Sequence, residues 1–308
     1  LRLENTTPDV VKAAPSVTIT GEDGRLELTT PDVEIPAGAS TIEVPYEVPG
    51  AGAFTLDVSL EPDVNFAARA DLHVAHLFEF AYGERVPGST GDIVLWRASS
   101  GWKIPKTRPA PTREADAIEV RLARNETEAV QLVVSPRHDL NGLTAAPSAL
   151  EGPGGATLPA SAVEVLRVGY VNVEMPTDET GVAAPWPDPL PPFREPVDVA
   201  GGENQPLWIR VKVPTGTPAG VYRGSVRLVA EGLDAETPLH VEVYDFELPD
   251  RMTCVTAFGF SPANVFAYHN LTDPEDRREV INKYLRNFSE HRISPYDPAP
   301  LDPIGVSW

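Results

Sequence analysis

Three residues within one short stretch, Asn264, Tyr268 and His269, combine an amide, an aromatic face and an imidazole. Together they offer hydrogen bonds and a flat apolar surface to a ligand; packing is the competing use of the same side chains. Asp178-Glu179 is an adjacent carboxylate pair, the residue types that general acid–base chemistry requires. It lies, however, in a proline-rich stretch from Pro176 to Gly202, where a solvated acidic loop accounts for it. His73 and His76 stand three apart with no carboxylate motif beside them, so they do not read as metal ligands. Cys254 is the single cysteine, which rules out an intrachain disulfide or a cysteine-based metal site. Its place in an apolar run predicts an inert buried thiol. No catalytic residue, metal or organic cofactor is expected in this chain.

The remaining composition narrows the partners. Against 45 acidic residues stand 25 basic ones, a formal net charge of −20. Such a surface repels phosphate backbones and anionic lipid heads, which argues against nucleic acid and membrane-surface partners. No hydrophobic run approaches the 18 or so residues of a membrane span. The chain starts at Leu1 without a signal-like segment. A secreted or cell-surface location is expected if a signal has been removed. Sequons at Asn5, Asn125, Asn270 and Asn287 read as coincidental.

The elements that must position these residues are mostly strands. The 33 prolines, spread along the chain, favour short strands joined by stiff loops. Residues 1–86 read as a small immunoglobulin-like β-sandwich. Val17-Thr18-Ile19-Thr20, Leu26-Glu27-Leu28, Thr41-Ile42-Glu43-Val44 and Phe54 to Val58 alternate with period two. Gly21-Glu22-Asp23-Gly24 is a hairpin turn between the first two. Ala70 to Tyr82 predicts a further strand with a bulge. Residues 87–250 read as a larger sandwich, with strands at Ile93–Trp96, Ile118–Leu122, Ala129–Val134, Val163–Val173, Trp208–Val213, Tyr222–Val229 and Leu239–Phe246. Asn125-Glu126 precedes a buried strand and should fasten the adjacent turn. Trp208 is expected to fill the sandwich core and Trp186 to anchor its long loop, stacking on a ligand ring being the alternative for both.

At Pro249 the pattern changes. A strand-like run from Thr253 to Phe260 is followed by a helix from Pro274 to about His291, with Asp273 as N-cap and Pro274 in its first turn. Val280, Ile281, Tyr284, Leu285 and Phe288 form its apolar stripe. Ile293–Tyr296 then begins a next strand. Strand, helix, strand is the opening of a parallel α/β repeat, and residues 251–308 are too short to complete one.

Several stretches carry a resemblance: Leu122-Ala123-Arg124-Asn125-Glu126-Thr127-Glu128-Ala129-Val130-Gln131, Trp186-Pro187-Asp188-Pro189-Leu190-Pro191, Asn204-Gln205-Pro206-Leu207-Trp208-Ile209, Pro218-Ala219-Gly220-Val221-Tyr222-Arg223-Gly224 and Val243-Tyr244-Asp245-Phe246-Glu247-Leu248-Pro249. In this order they resemble the N-terminal sandwich of glycoside hydrolase family 123, over about residues 92 to 308. The resemblance implies a mainly β chain in which the sandwich precedes a (β/α)8 barrel, here truncated after its first βα unit. It implies a whole protein that is a retaining exo-β-N-acetylgalactosaminidase using substrate-assisted catalysis. An Asp would orient the 2-acetamido group and a neighbouring Glu would act as acid/base. That pair belongs to a later barrel strand, so this chain alone is expected to be inactive. In such a barrel ligands meet the loops after each strand, which is where Asn264, Tyr268 and His269 fall. The expected partner is an N-acetylhexosamine-containing glycan. The alternative is a non-catalytic carbohydrate-binding or cell-surface module.

Overall fold

Alternating apolar and polar residues build the first sheets directly, because successive side chains on a strand point to opposite faces. The fold comes from a computed structural model that describes residues 2–22, 24–29, 31–43, 50–62, 66–177, 181–251, 254–302 and 305. The chain forms two compact units, Leu1–Phe246 and Glu247–Trp308.

The first unit begins with β1 (Arg2–Asn5), β2 (Val11–Gly21), β3 (Gly24–Thr29), β4 (Val33–Ile35), β5 (Gly38–Thr41), β6 (Gly52–Pro62) and β7 (Phe66–Val74). One antiparallel sheet runs β3-β2-β6-β7, with β4 also pairing β2, while β1 pairs β5 separately. Val17 and Ile19 share a face with Phe54, and Ala13 with Leu60, giving two small buried clusters. The hairpin at Gly21 and Gly24 is as expected, the two glycines pairing directly. The strand expected over Ala70–Tyr82 is different: β7 ends at Val74, and His76–Phe78 is a 3-10 turn that buries Leu77. At Thr41–Val44 the strand stops at Thr41, and Val44 lies outside the described residues.

The same unit continues with β8 (Glu84–Arg85), β9 (Ile93–Ser99), β10 (Ile118–Arg124), β11 (Glu126–Pro136), β12 (Leu140–Pro147), β13 (Leu150–Glu151), β14 (Thr157–Leu158), β15 (Val163–Arg167), β16 (Tyr170–Val173), β17 (Ala184–Pro187), β18 (Val197–Val199), β19 (Gln205–Val213), β20 (Gly220–Ala230) and β21 (Leu233–Glu247). They form two main sheets, β15-β19-β11-β9-β8, antiparallel throughout, and β10-β21-β20-β12-β18. Between them lies one continuous core that includes Leu95, Leu122, Leu132, Ile209, Val226 and Val241. Full burial of such a side chain stabilises by about 1.5–3 kcal/mol relative to exposure. β10 and β11 belong to different sheets, so the chain must cross between them within one residue. Asn125 does so at φ 59°, a left-handed conformation that Asn tolerates better than most side chains. Its N–H donates to the Val213 carbonyl at 2.8 Å, and Glu126 Oε2 accepts from Ala123 N at 2.6 Å. Asn125-Glu126 thus fastens a turn, as expected. Where one strand was expected over Val163–Val173 there are two, separated at Val168-Gly169, and β16 pairs β17 in a side hairpin.

A second buried layer covers the outer face of the β8-containing sheet. Tyr82, Trp96, Ala98, Ile104 and Val133 form it. Trp96 Nε1 donates to Ser135 Oγ at 2.8 Å, and Ser135 Oγ in turn donates to Asn204 Oδ1. Asn204 Nδ2 donates to the carbonyls of Pro105 and Arg108, so this buried polar chain fixes the proline-rich crossing. The Arg108 guanidinium lies 4.1 Å from the Tyr82 ring centre and 4.7 Å from that of Trp96.

Glu79, between the N-terminal sheet and the larger sandwich, accepts N–H bonds from Ala51 at 2.9 Å, Phe80 at 2.7 Å and Ala81 at 2.6 Å. Burial works against its charge, but the three backbone donors, with His76 nearby, prevail and hold the carboxyl below its ordinary value.

In the second unit, Phe258 and Pro295 form a parallel bridge flanking helix α2, once α1 (Pro262–Tyr268) and α2 (Pro274–Glu290) are placed. Phe258 N donates to Ser294 O and Tyr296 N donates to Phe258 O, both at 2.9 Å. An isolated bridge thus stands where strands over Thr253–Phe260 and from Ile293 were expected; after Glu247 the regular elements among the described residues are the two helices. Cys254 corrects the sequence reading: it is exposed rather than buried, since no regular strand holds the described part of its segment inward. The Asp273 carboxylate caps α2 by accepting from Glu275 and Asp276 N–H groups, and Ile281 and Phe288 are its buried positions.

Candidate functional site

The segment after Phe260 folds as α1 because Ser261 caps it and Pro262 starts it. Ser261 Oγ accepts from Asn264 N, and proline at the first turn has no N–H to leave unpaired. A seven-residue helix is not stable alone; its one buried residue, Val265, faces packing while Asn264 and Tyr268 stay exposed. Those two residues are four apart and therefore lie on one helix face. Tyr268 is 85% exposed. Its ring stands edge-on to His269, with centres 5.4 Å apart and planes at 81°. His269 Nε2 and the Tyr284 hydroxyl are 2.9 Å apart, in hydrogen-bonding contact. Tyr284 is itself set by Phe260, 5.5 Å away ring to ring, and Phe260 packs edge-on against Phe288.

Of the three residues singled out from the sequence, Tyr268 and His269 therefore meet at the C-terminal end of α1, where Tyr284 joins them, while Asn264 lies one turn earlier on the helix. Tyr284 had been read only as part of the helix stripe. Its signal was its polar tip on an otherwise apolar face. The arrangement presents an open aromatic face, an amide and an oriented imidazole, which can stack on and hydrogen-bond a small polar ligand.

Other candidates are accounted for differently. Asp178-Glu179 lies outside the described residues. Trp186 Nε1 donates to Val182 O at 2.8 Å, anchoring its own loop. Trp208 does not join the inter-sheet core: it is half-buried and pairs with Gln131 and Leu166, on the face opposite Leu207 and Ile209. Strand alternation explains the displacement, because its neighbours on both sides point inward. Tyr170 donates its hydroxyl to Ile104 O at 2.9 Å, and burial pushes its phenol far above the ordinary value. An open groove of about 610 Å³ on the outer face of β12, β20 and β21 is polar but self-satisfied. Arg227 there is bidentate to Asp234, and Ser225 Oγ donates to Glu236. Among the described residues no three His, Cys, Asp or Glu side chains converge as a metal site. No helix of the described residues is long and apolar enough to cross a membrane.

Residues 98–230, from β9 to the end of β20, match the family model described as the glycoside hydrolase 123 N-terminal domain. This region is a family 123-like N-terminal portion. A family 123 glycoside hydrolase from Clostridium perfringens, studied for glycolipid glycan hydrolysis, superposes with a TM-score of 0.51 at 14% identity. The match covers 58% of this chain and 33% of that one. The chain thus spans about a third of the length of that enzyme, and the likeness shows a shared fold. The CooA pilin subunit of enterotoxigenic Escherichia coli gives a TM-score of 0.26 at 16% identity, covering 51% of this chain and 99% of that one. No curated protein sequence matches the chain.

Proposed function

We propose that the family 123-like portion serves a retaining exo-β-N-acetylgalactosaminidase that uses its substrate's 2-acetamido group as nucleophile. In this reading residues 1–86 are an immunoglobulin-like sandwich, 87–250 the family-type sandwich and 251–308 the first βα unit of a (β/α)8 barrel. The observation that carries it is the order of parts: the domain matched at residues 98–230 is followed by the parallel Phe258–α2–Pro295 unit. A parallel strand–helix–strand unit is the repeat from which such barrels are made.

The ligand-bearing loops of a barrel follow its strands. Asn264, Tyr268 and His269 follow the Phe258 bridge and supply the first part of a glycan site, Tyr268 stacking on the sugar's apolar face. The carboxylate pair is contributed by another barrel strand, because substrate assistance needs one group charged beside the developing cation and another able to donate a proton. The 308 residues alone are then inactive, and the whole protein, secreted or at the cell surface if a signal has been removed, acts on glycans carrying an N-acetylhexosamine.

The test is hydrolysis of a chromogenic β-N-acetylgalactosaminide by the full-length protein. Turnover lost on changing the acid/base Glu to Gln, and missing from the 308-residue chain, supports the proposal. Sugar binding without turnover by the full-length protein replaces it with a non-catalytic carbohydrate-binding module.

A further inference from the structure

We infer that Tyr284 is a positioning residue, which sets the orientation of His269 beside the Tyr268 ring for a sugar hydroxyl. This rests on the glycan-site reading above and adds to it a residue on a different helix. His269 is exposed at the end of α1, where an imidazole would otherwise turn freely. Its Nε2 is engaged by the Tyr284 hydroxyl at 2.9 Å, and its ring stands at 68° to that of Tyr284. Tyr284 in turn sits on the α2 face that carries the buried Ile281 and Phe288, with Phe260 against its ring. The hydroxyl is thus held from below by packing and meets the imidazole from a fixed direction.

The Tyr284 hydroxyl can donate to Nε2 or accept from it, so the contact holds the ring in place in either neutral form. With Nε2 engaged by Tyr284, Nδ1 is the nitrogen left for a ligand. The Tyr268 ring, edge-on to His269, leaves its own face open for stacking. One residue supplies the platform, the second the directed hydrogen bond, and the third fixes the second.

Tyr284→Phe keeps the packed ring and removes only the hydroxyl. Nitrogen-detected NMR of the 308-residue chain should show the His269 Nε2 resonance displaced by its hydrogen bond to the Tyr284 hydroxyl, a displacement that vanishes in Tyr284→Phe. Saturation-transfer NMR with free N-acetylgalactosamine should show binding to the parent chain. Tyr284→Phe should weaken it about fivefold, the size of one hydrogen bond, and Tyr268→Ala should weaken it tenfold or so. If the parent chain shows no transfer to the sugar, the glycan-site reading fails and the inference with it. If Tyr268→Ala weakens binding while Tyr284→Phe changes neither the Nε2 resonance nor affinity, the site stands and the positioning role is refuted.

Discussion

Replacing Glu79 with alanine removes the acceptor of three backbone N–H bonds, at 2.6, 2.7 and 2.9 Å. Hydrogen bonds to a charged group contribute about 1.5–3 kcal/mol each, so the full set would suggest at least about 5 kcal/mol. Much of that is recovered in the variant, because Phe80 and Ala81 are exposed and their amides can turn to water. Ala51 is half-buried, and of the three bonds its own joins the N-terminal sheet to the segment leading into the larger sandwich. The expected net loss is therefore about one charge-assisted bond, roughly 2 kcal/mol. Glu79→Gln retains one acceptor oxygen and should lose about half as much. The loss depends on pH with a defined sign. The carboxyl's pKa is lowered from 4.5 in the folded chain, so its contribution is present above that value and disappears as pH falls through the lower folded value. Urea unfolding at neutral pH and near pH 3, with amide exchange of Ala51 as the local readout, measures both. An alanine variant within about 0.5 kcal/mol of the parent at neutral pH, with Ala51 equally protected, refutes the latch.

Gly152→Ala should destabilise by about 1–3 kcal/mol, because a Cβ there would lie 2.2 Å from the buried Tyr222 ring; thermal unfolding measures it. Asn125→Val should cost about 1–2 kcal/mol at φ 59°, and more than Asn125→Gly, in the same assay. Asn204→Ala should free the Pro105–Arg108 crossing, since its side chain bonds both carbonyls, and limited proteolysis should then cut between Lys106 and Pro109. Tyr170, its pKa raised by burial, should resist ionisation at pH values where exposed tyrosines titrate, as followed by ultraviolet absorbance. Stability should correspondingly fall once pH passes the ordinary phenol value of 10.0, where only the unfolded chain ionises.

The strands of the inter-sheet core were legible because burial on one face writes itself as alternation; Ile118–Arg124 and Gln205–Val213 are cases. What alternation does not encode is which face a residue serves when both are covered. Trp208 was misassigned for that reason, its outer face being roofed by the layer around Trp96 and Tyr82. β12 passed unnoticed because Leu140 and Leu143 are three apart across an irregular register, breaking the period. α2 was readable from Asp273-Pro274 and its stripe. α1, with the same kind of signal in Ser261-Pro262, was hidden by its length of one or two turns. At the candidate site the residue types were visible, but the Tyr284 contact joins positions 15 apart through a loop. Local sequence reading does not reach such a pair.

The strand order of the larger sandwich also bears on how the chain is made. β11 lies between β9 and β19, yet β19 leaves the ribosome long after β11. At roughly 5–20 residues per second, β11 waits several seconds or more with one edge open. Its run Val130–Val134 is buried throughout and apolar but for Gln131, and an unpaired edge of that kind recruits other chains. Slowing elongation between these two strands should therefore raise the insoluble fraction in cells, and supplying a nascent-chain holdase should lower it.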